Sequence, residues 1–330
     1  MKIIKWGILG TGRIAGKFAS DLQYAEGCEL IAVGSRSQAS ADEFANEFSV
    51  KYRHGSYDEL VKNPEVEVIY IATPHNLHYE NTLLCLNHGK AVLCEKPFAM
   101  NTRQALTMIN LAMEKKVFLM EALWTKFHPH FIKMQQMIGE GMLGDIKSVL
   151  INFGFKPVPP VNPRLFEPEL GGGTVMDIGI YNVFMALNIL GKPDHIDAVM
   201  TPAPTGVDEQ CAILFRYKNG AMAQLFSTFL TNLGTEADIS GTKGRVRLTS
   251  KFYEPSATIE FYEGRDNPKQ IIAVEKERGT GYQYEARHVN ECLRKGLTES
   301  DILPFADTIR LMETLDEIRR KAGIHYPADN

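Results

Sequence analysis

Apolar residues in the first part of the chain form short runs that alternate with longer amphipathic stretches. The runs are nearly continuous, which is typical of strands buried on both faces, and they lie at residues 3–9, 30–34, 66–72, 91–94 and 117–120. The stretches between them have helical periodicity and include residues 13–25, 38–48, 79–88 and 102–115. This alternation predicts an α/β fold with a doubly wound parallel sheet.

The pattern changes after residue 122. Strand-like stretches now follow one another closely, at residues 146–155, 198–200, 211–217, 221–229, 245–248, 258–262 and 270–274. Short turns such as Lys218-Asn219-Gly220 separate them, as in antiparallel sheets. Helices are predicted at residues 173–190, 282–295 and 304–322. We therefore expect two domains, with the parallel sheet in residues 1–122 and a large, open, mostly antiparallel sheet in an α+β domain at residues 123–330.

Composition and charge narrow the classes of function. The 330 residues carry a formal net charge of -4 and no basic stripe, so we expect neither a nucleic-acid partner nor an anionic membrane partner. The five cysteines are scattered and none forms a C-x-x-C pair, which favours a reducing compartment and argues against a metal site. No apolar run approaches the ~18 residues of a membrane span. We expect a soluble, cytoplasmic protein without a metal.

The sequence Gly10-Thr11-Gly12-Arg13-Ile14-Ala15 follows the first predicted strand and opens the first predicted helix. In the G-x-G-x-x-[G/A] pattern, the first glycine permits a tight turn, and the second lets the backbone approach a pyrophosphate. The helix N-terminus offers N–H groups and a positive dipole to the phosphates. We predict a Rossmann dinucleotide site that includes Gly10, Gly12, Arg13 and Ile14. A tight turn without a ligand is the alternative.

The end of the second predicted strand bears on the choice of cofactor. It reads Val33-Gly34-Ser35-Arg36-Ser37, without the carboxylate that NAD sites usually carry for the ribose hydroxyls. Ser35 and Arg36 can instead bind a 2′-phosphate, because the arginine fork matches phosphate geometry and its plane can stack on adenine. NADP is therefore the favoured cofactor. NAD is the alternative, in which Arg36 is simply solvated.

Glu95-Lys96-Pro97 follows the strand predicted at residues 91–94. The carboxyl ends of the strands face the ligand crevice in an open α/β sheet, so we expect Lys96 near the reactive ring of the cofactor. The residue before a proline is held away from helical geometry, which keeps this turn extended. An ordinary surface turn is the alternative interpretation of one Lys-Pro pair.

Three segments together resemble the Gfo/Idh/MocA oxidoreductases, the family of glucose–fructose oxidoreductase and inositol dehydrogenase. They are Gly10-Thr11-Gly12, Glu95-Lys96-Pro97 and residues 171–181, which read Gly-Gly-Gly-Thr-Val-Met-Asp-Ile-Gly-Ile-Tyr. Residues 121–125 (Glu-Ala-Leu-Trp-Thr) and 281–285 (Gly-Tyr-Gln-Tyr-Glu) further resemble the branch of dimeric dihydrodiol dehydrogenases and NADP-linked xylose dehydrogenases. The resemblance implies that the second domain binds the substrate and forms the oligomer.

The resemblance also implies three catalytic residues: Lys96, Asp177 and Tyr181. Lys96 would contact the substrate hydroxyl and the nicotinamide ribose. Tyr181 would be the acid/base, with Lys96 favouring its phenolate, and Asp177 would orient the reacting group. Residues four apart lie on one helical face, which agrees with a joint role for Asp177 and Tyr181. Many relatives carry histidine at the position of Tyr181, and Lys96 is the alternative acid/base.

Further cofactor contacts are implied along the same edge of the sheet. Besides Lys96, the implied residues are Ala72, Thr73, Asn76, His78, Glu95 and Trp124. Trp124 would stack near the nicotinamide, although a lone tryptophan equally fits a core position. His75 is expected to point to solvent. Arg164, in a Pro-rich loop, is expected to be exposed, and binding of an anionic substrate is the alternative.

The resulting hypothesis is an NAD(P)-dependent dehydrogenase that acts on a secondary alcohol of a sugar, polyol or cyclic diol. The alternative is a protein that holds NAD tightly, either for glycosidase-like chemistry without net redox change or for regulation, since a fold does not fix a function. We expect a homodimer or homotetramer formed through the C-terminal sheet, because an exposed apolar sheet face is a liability in a monomer.

Overall fold

The computed structural model describes residues 2–264 and 268–330, which divide into two compact units. The first unit comprises Met1–Lys126 and Glu277–Ile309, and the second comprises Phe127–Lys276 and Arg310–Asn330. The helices are α1 (Arg13–Leu22), α2 (Gln38–Phe48), α3 (Tyr57–Lys62), α4 (His78–Asn87), α5 (Thr102–Lys115), α6 (Pro129–Gly139), α7 (Ile180–Leu190), α8 (Tyr282–Arg294) and α9 (Phe305–Ala322). The strands are β1 (Ile4–Leu9), β2 (Cys28–Gly34), β3 (Tyr52–His54), β4 (Val68–Ile71), β5 (Ala91–Glu95), β6 (Leu119–Ala122), β7 (Ile146–Gly154), β8 (His195–Pro202), β9 (Asp208–Arg216), β10 (Met222–Thr228), β11 (Ala237–Gly241), β12 (Arg245–Thr249), β13 (Thr258–Tyr262) and β14 (Gln270–Ile272).

A six-stranded parallel sheet forms the centre of the first unit. Its strand order is β3-β2-β1-β4-β5-β6, and every residue of β4 and β5 is buried. This confirms the predicted doubly wound parallel sheet, whose strands are covered on both faces. The order reverses between β1 and β4. Sheets of this kind bind ligands outside the carboxyl ends of the strands at that switch point.

The hydrophobic pattern does not predict β3 and α3. β3 has three residues, none of which is buried, and α3 has six residues. Both are too short for a periodicity to show. β3 nevertheless pairs with β2, with Ala32 opposite Tyr52, and so forms the edge of the sheet.

The segment Glu277–Ile309 packs within the first unit, whereas a division at residue 122 assigns it to the second domain. The Asp21 carboxylate on α1 accepts hydrogen bonds of 2.8–2.9 Å from the backbone N–H groups of residues 280–282. Trp6 Nε1 donates to Asn290 Oδ1 on α8 at 3.0 Å. These partners are 259–284 positions apart in sequence, so a local pattern cannot reveal the packing.

An eight-stranded mixed sheet dominates the second unit. Its order is β14-β13-β12-β11-β7-β10-β9-β8; β10 and β7 are parallel and the other described neighbours are antiparallel. Along β7, Val149 and Ile151 are buried and Leu150 between them is 46% exposed. The predicted large and mostly antiparallel sheet is confirmed. α6 lies in a region for which the pattern predicts no helix.

The helical stretch Pro168–Leu190 is long and apolar enough by length and composition to cross a membrane. This differs from the expectation that no stretch of the chain approaches such a span. Of its most apolar window, 83% is buried inside the protein, which is the behaviour of a core helix that is apolar all round.

Candidate active site

The turn after β1 has the backbone geometry that a pyrophosphate requires. Gly10 has a φ of 104°, which favours glycine, and a Cβ there would lie 3.0 Å from the carbonyl oxygen of Ala72. At Gly12, which precedes α1, a Cβ would meet no described heavy atom within 4 Å. A glycine cap also offers no side-chain acceptor to the N–H groups of the first helical turn. The turn therefore leaves both space and donors for an anion.

The end of β2 lies beside this turn. Ser35 is 7% exposed, and its Oγ lies 3.4 Å from Thr11 Oγ1. Arg36, the next residue, is exposed, and so are Gly12 and Arg13. The two residues expected to bind a 2′-phosphate thus differ in exposure. Ser35 is buried and held beside Thr11, whereas the Arg36 guanidinium is accessible to a ligand.

His78 fixes the turn after β4. Its Nδ1 lies 2.8 Å from Pro97 O and its Nε2 lies 3.0 Å from Thr73 O, and the side chain is fully buried. His78 thereby joins this turn to the Glu95-Lys96-Pro97 turn, and does not present its ring to an open surface. The expectation that His75 points to solvent is wrong, since His75 is only 6% exposed.

Asn76 has an unpartnered acceptor in the same turn. The residue is half-buried, and its buried Oδ1 accepts no hydrogen bond from any described residue. A buried acceptor without a donor costs about 1–3 kcal/mol. A donor from a bound ligand would remove that cost. Together with the open space at Gly12, this orphaned oxygen shows that the first unit fits a bound dinucleotide.

Lys96 is half-buried and follows a tightly bonded carboxylate. The Glu95 Oε2 atom accepts a hydrogen bond of 3.1 Å from the backbone N–H of Lys96, and Tyr70 donates its hydroxyl to Glu95 Oε1. Tyr70 is fully buried and stacks on Phe18 with ring centroids 3.7 Å apart. The core of the first unit therefore determines the backbone position of Lys96 through Glu95.

Glu121 is a second buried carboxyl near Lys96. It is 1% exposed and accepts hydrogen bonds of 3.1 Å from Phe98 N and from Thr308 Oγ1. Burial raises the pKa of Glu121 to about 7, while these hydrogen bonds and the charge of Lys96 limit the rise. The sequence alone gave Glu121 no role beyond the motif at residues 121–125.

Glu121→Gln is expected to remove a pH-dependent loss of stability. A carboxyl whose pKa is raised by folding stabilises the native state below its unfolded pKa, and this contribution is lost as pH rises through the folded pKa. For Glu121 the window runs from about 4.5 to about 7, and the loss is of order 3 kcal/mol. Urea denaturation at pH 5 and pH 8 measures it. Exposed Glu26, changed to Gln, is the control. An unchanged pH dependence in Glu121→Gln would contradict the expectation.

Trp124 packs inside the first unit. It is 6% exposed and stacks on Tyr282 of α8 with ring centroids 4.5 Å apart. This supports the core alternative for Trp124. Its partner Tyr282 is 261 positions from Asp21 of α1 in sequence, yet the backbone N–H of Tyr282 donates a hydrogen bond to Asp21 Oδ2 at 2.9 Å.

A buried carboxylate holds the start of the Asp177/Tyr181 segment in the second unit. Asp208 Oδ2 accepts hydrogen bonds from Thr174 Oγ1 at 2.6 Å and from Val175 N at 2.7 Å. Gly173 has a φ of 106°, and a Cβ there would overlap the Asp208 carboxylate. Burial raises the pKa of Asp208 to about 6. Gly173, the last glycine of the triplet, is therefore needed for close approach to Asp208.

Asp177 lies in a wide helical turn, Val175–Gly179, with the i→i+5 geometry of a π-helix. The spacing argument from a regular α-helix thus does not apply directly to Asp177 and Tyr181, because a π turn shifts the side-chain register. Asp177 is 8% exposed, and its Oδ1 lies 3.2 Å from Arg164 Nη2. The expectation that Arg164 is an exposed loop residue is therefore wrong.

Tyr181 begins the regular part of this helix and belongs to an aromatic cluster. Its ring centroid lies 5.0 Å from that of Tyr253 and 6.0 Å from that of Phe153. Tyr181 is 7% exposed, so its ring position is set by packing. Tyr253 is a neighbour of Tyr181 that the sequence did not identify, since it comes from a loop far along the chain.

Two family models match the chain in order. One describes an oxidoreductase family with an NAD-binding Rossmann fold and matches residues 4–123. The other describes the GFO/IDH/MocA C-terminal domain and matches residues 131–247.

Curated relatives match over the full length. Trans-1,2-dihydrobenzene-1,2-diol dehydrogenase of Mus musculus is 37% identical over 99% of this chain and 99% of its own. The enzyme of the same name from Xenopus laevis is 38% identical over 98% and 99%, and that of Homo sapiens is 35% identical over 99% of both chains.

Solved structures share the fold. Aldose-aldose oxidoreductase from Caulobacter crescentus, complexed with glycerol, has a TM-score of 0.88 at 24% identity and covers 98% of both chains. A 3-ketoreductase from Actinomadura kijaniata, in complex with NADP, has a TM-score of 0.86 at 24% identity and covers 97% of this chain and 98% of its own.

Proposed function

Because the chain belongs to the Gfo/Idh/MocA oxidoreductase family, we propose that it is an NADP-preferring dehydrogenase acting on a cyclic diol, a sugar or a polyol. It transfers hydride between the nicotinamide and a secondary alcohol or its carbonyl. The full-length match to dihydrodiol dehydrogenases at 35–38% identity carries this proposal. The proposed catalytic residues Lys96, Asp177 and Tyr181 are all present.

Residues of the first unit would hold the cofactor. The N–H groups at Gly12 and the start of α1 would bind the pyrophosphate, and Arg36 with Ser35 would bind the 2′-phosphate. Asn76 Oδ1 would accept a hydrogen bond from the ligand. The nicotinamide supplies the hydride acceptor for oxidation, and the protein residues handle the proton.

Tyr181 is the proposed acid/base for the substrate hydroxyl. In the oxidation direction, the phenolate takes the hydroxyl proton while the carbinol carbon gives up a hydride, which a bound nicotinamide would accept. A ketone and a neutral tyrosine hydroxyl result, and the tyrosine then releases its proton to solvent. The family resemblance implies that Lys96 contacts the substrate hydroxyl and the nicotinamide ribose. Asp177, paired with Arg164 at 3.2 Å, orients the reacting hydroxyl. Lys96 is the second candidate for the acid/base.

The test is a spectrophotometric screen for NADPH formation with trans-diols of cyclic dienes, aldoses and polyols. Turnover of at least one class with NADP is the expected result. Turnover of none, or turnover that survives Lys96→Ala unchanged, contradicts the proposed reaction or the proposed roles. The same preparation distinguishes the alternative of tightly held NAD, because such a cofactor would remain bound through dialysis.

Arg36→Ala is expected to raise the KM for NADP by about 10- to 100-fold, since a charge-assisted hydrogen bond contributes about 1.5–3 kcal/mol. The KM for NAD, which lacks the 2′-phosphate, should change by less than about threefold on the same reasoning. Initial rates with both cofactors on one variant provide the internal control. An equal rise in the KM values for NADP and NAD would show that Arg36 does not recognise the 2′-phosphate.

We also propose that the protein is a homodimer or homotetramer formed through the outer face of the eight-stranded sheet. That face carries Leu150 and Val199, which are 46% and 67% exposed. Ala212 and Phe226 lie opposite each other on β9 and β10 and line a shallow concavity with them. Exposed apolar surface of this kind is typical of an interface.

Leu150→Glu is expected to dissociate the oligomer, because a charge would be buried in an apolar interface. Light scattering should give a multiple of 37.0 kDa for the wild type and a monomer for Leu150→Glu. Val158→Glu, at an 80% exposed loop position, is the control. A monomeric wild type at micromolar concentration would refute the proposed interface.

A further inference from the structure

A buried tyrosine from the segment after α9 binds the glycine turn that precedes Asp177 and Tyr181. Tyr326 is 3% exposed, and its hydroxyl donates a hydrogen bond of 2.5 Å to Gly172 O. The two residues belong to the second unit and are 154 positions apart in sequence. Burial raises the pKa of Tyr326 well above its usual range, so the hydroxyl keeps its proton and remains a donor.

The peptide group between Gly172 and Gly173 is bonded on both sides. Its carbonyl oxygen accepts the hydrogen bond from Tyr326, and its N–H donates to Leu165 O at 2.8 Å. A Cβ at Gly173 would lie 3.1 Å from Tyr326 Oη, so the tyrosine hydroxyl lies directly against the turn. Because both polar groups of this peptide are satisfied, the two bonds hold its plane in one orientation.

The orientation of this peptide bears on Asp177. Gly173 O accepts a hydrogen bond of 3.3 Å from Asp177 N, which leads into the π turn. Leu165 adjoins Arg164 in sequence, and Arg164 Nη2 lies 3.2 Å from Asp177 Oδ1. A rotation of the peptide would therefore disturb the backbone of Asp177 and the loop that carries its arginine partner.

Arg319 and Asp329 hold Tyr326 in place. Asp329 Oδ2 accepts a hydrogen bond of 2.9 Å from Tyr326 N, and the same oxygen lies 2.9 Å from Arg319 Nη1. The Arg319 guanidinium lies 5.2 Å from the centroid of the Tyr326 ring, within the range of a cation–π contact. The Arg319 side chain is only 5% exposed, so solvent screens its ion pair less than it screens a surface pair. We call Arg319, Tyr326 and Asp329 the latch.

We propose that Tyr326 is a positioning residue of the candidate active site, and that the latch keeps the glycine turn in the orientation that places Asp177 and Tyr181. Its catalytic consequence rests on the proposed function, whereas the hold on the turn does not. Tyr326 takes no part in proton transfer, since its hydroxyl proton is donated to Gly172 O. A small displacement of Asp177 is enough to lower the rate, because reacting groups must be held in a near-attack geometry.

Tyr217 provides a matched control in the same unit. Its hydroxyl donates a hydrogen bond of 3.0 Å to Gly191 O, so Tyr217→Phe also removes one bond from a tyrosine to a glycine carbonyl. Gly191 follows the last residue of α7, at the opposite end of that helix from Tyr181. Tyr217→Phe and Tyr326→Phe should lower the Tm by similar small amounts, since each loses one hydrogen bond, but only Tyr326→Phe should loosen the glycine turn.

The first measurement needs no substrate. Hydrogen–deuterium exchange of the full-length protein, followed by mass spectrometry, reports how often the backbone opens at residues 171–181. We expect exchange there to be about three- to tenfold faster in Tyr326→Phe than in the wild type, the factor that corresponds to one lost hydrogen bond. In Tyr217→Phe it should be unchanged.

Asp329→Asn tests the rest of the latch. The substitution keeps the size of the side chain and removes the charge that Arg319 binds, so exchange at residues 171–181 should rise in the same direction by a smaller factor. Glu313→Gln is its control, because Glu313 lies on α9 and forms an exposed pair of 3.0 Å with Lys192. This control should leave the exchange unchanged.

The second measurement is the steady-state reaction. In Tyr326→Phe, kcat should fall about tenfold while the KM for NADP stays within about twofold of the wild-type value. The proposed cofactor residues all belong to the first unit, which is why the KM for NADP should be spared. Tyr217→Phe should retain both values. A purely structural role of Tyr326 would instead give the two variants the same kcat.

The outcomes separate the latch from the proposed function. Unchanged exchange at residues 171–181 in Tyr326→Phe, or an equal increase in Tyr217→Phe, overturns the latch. Faster exchange with a kcat within about twofold of the wild-type value overturns the positioning role. A wild type without turnover contradicts the proposed function, and the exchange measurement still decides whether the latch holds the turn.

Discussion

Lys96→Met is expected to lower kcat by about 10²- to 10⁴-fold, the usual contribution of a group that assists proton transfer in the transition state. Methionine keeps the length and the apolar stem of the side chain and removes the ammonium. The backbone of Lys96 is held independently, by the hydrogen bond of 3.1 Å from its N–H to Glu95. The loss should therefore be in kcat, with little change in the KM for NADP. Steady-state rates with saturating cofactor measure it.

Lys115→Met is the matched control for this variant. Lys115 is exposed in the last turn of α5 and should retain the wild-type kcat. A Lys96→Met variant that keeps kcat within about threefold would remove Lys96 from the proposed chemistry, since such a change is far below the expected contribution. Unchanged urea denaturation for both variants would show that the comparison concerns folded protein.

Tyr181→Phe is expected to lower kcat by a similar factor of about 10²–10⁴, because the ring is retained and only the reacting hydroxyl is lost. The phenylalanine ring can keep the packing against Tyr253 and Phe153, whose centroids lie 5.0 and 6.0 Å away. The variant therefore tests proton transfer without removing the aromatic cluster. Single-turnover measurement of NADPH formation isolates the chemical step.

The pH profile of Tyr181→Phe distinguishes the two candidate bases. If Tyr181 takes the proton, the rise of kcat with pH in the oxidation direction should disappear in Tyr181→Phe and persist in Tyr24→Phe. Tyr24 is 39% exposed and serves as the control. A Tyr181→Phe variant with nearly wild-type kcat and an intact pH limb would assign the proton to Lys96 instead. Loss of the limb in Lys96→Met as well would show that the two groups titrate together.

The phosphate turn could be predicted because a short glycine motif between a strand and a helix marks it. Gly10 has a left-handed backbone and lies close to a carbonyl oxygen, and a Cβ at Gly12 would meet no described heavy atom within 4 Å. The motif is local in sequence, although the close approach at Gly10 is to Ala72 after β4. The buried strands of the parallel sheet could also be predicted, because continuous apolar runs are typical of strands that are covered on both faces.

The predictions failed where packing, and not the local sequence pattern, sets the exposure or the backbone geometry of a residue. Arg164 was expected to be exposed in a loop, but in the structure its Nη2 lies 3.2 Å from Asp177 Oδ1. His75 was expected to point to solvent, but the turn after β4 buries it. The α-helical spacing of Asp177 and Tyr181 likewise overlooked the π turn at Val175–Gly179, which no local pattern signals.

The sequence by itself determined the two kinds of sheet, the dinucleotide turn and the family of oxidoreductases, because hydrophobic periodicity and short motifs are local properties of the chain. Only the tertiary structure decided that Glu277–Ile309 packs with the first unit and that Glu121 is a buried acid near Lys96. Each of these depends on contacts between residues that are far apart in sequence or on opposite sides of a turn. The burial of these side chains and the charges around them are set only when the helices and strands pack together.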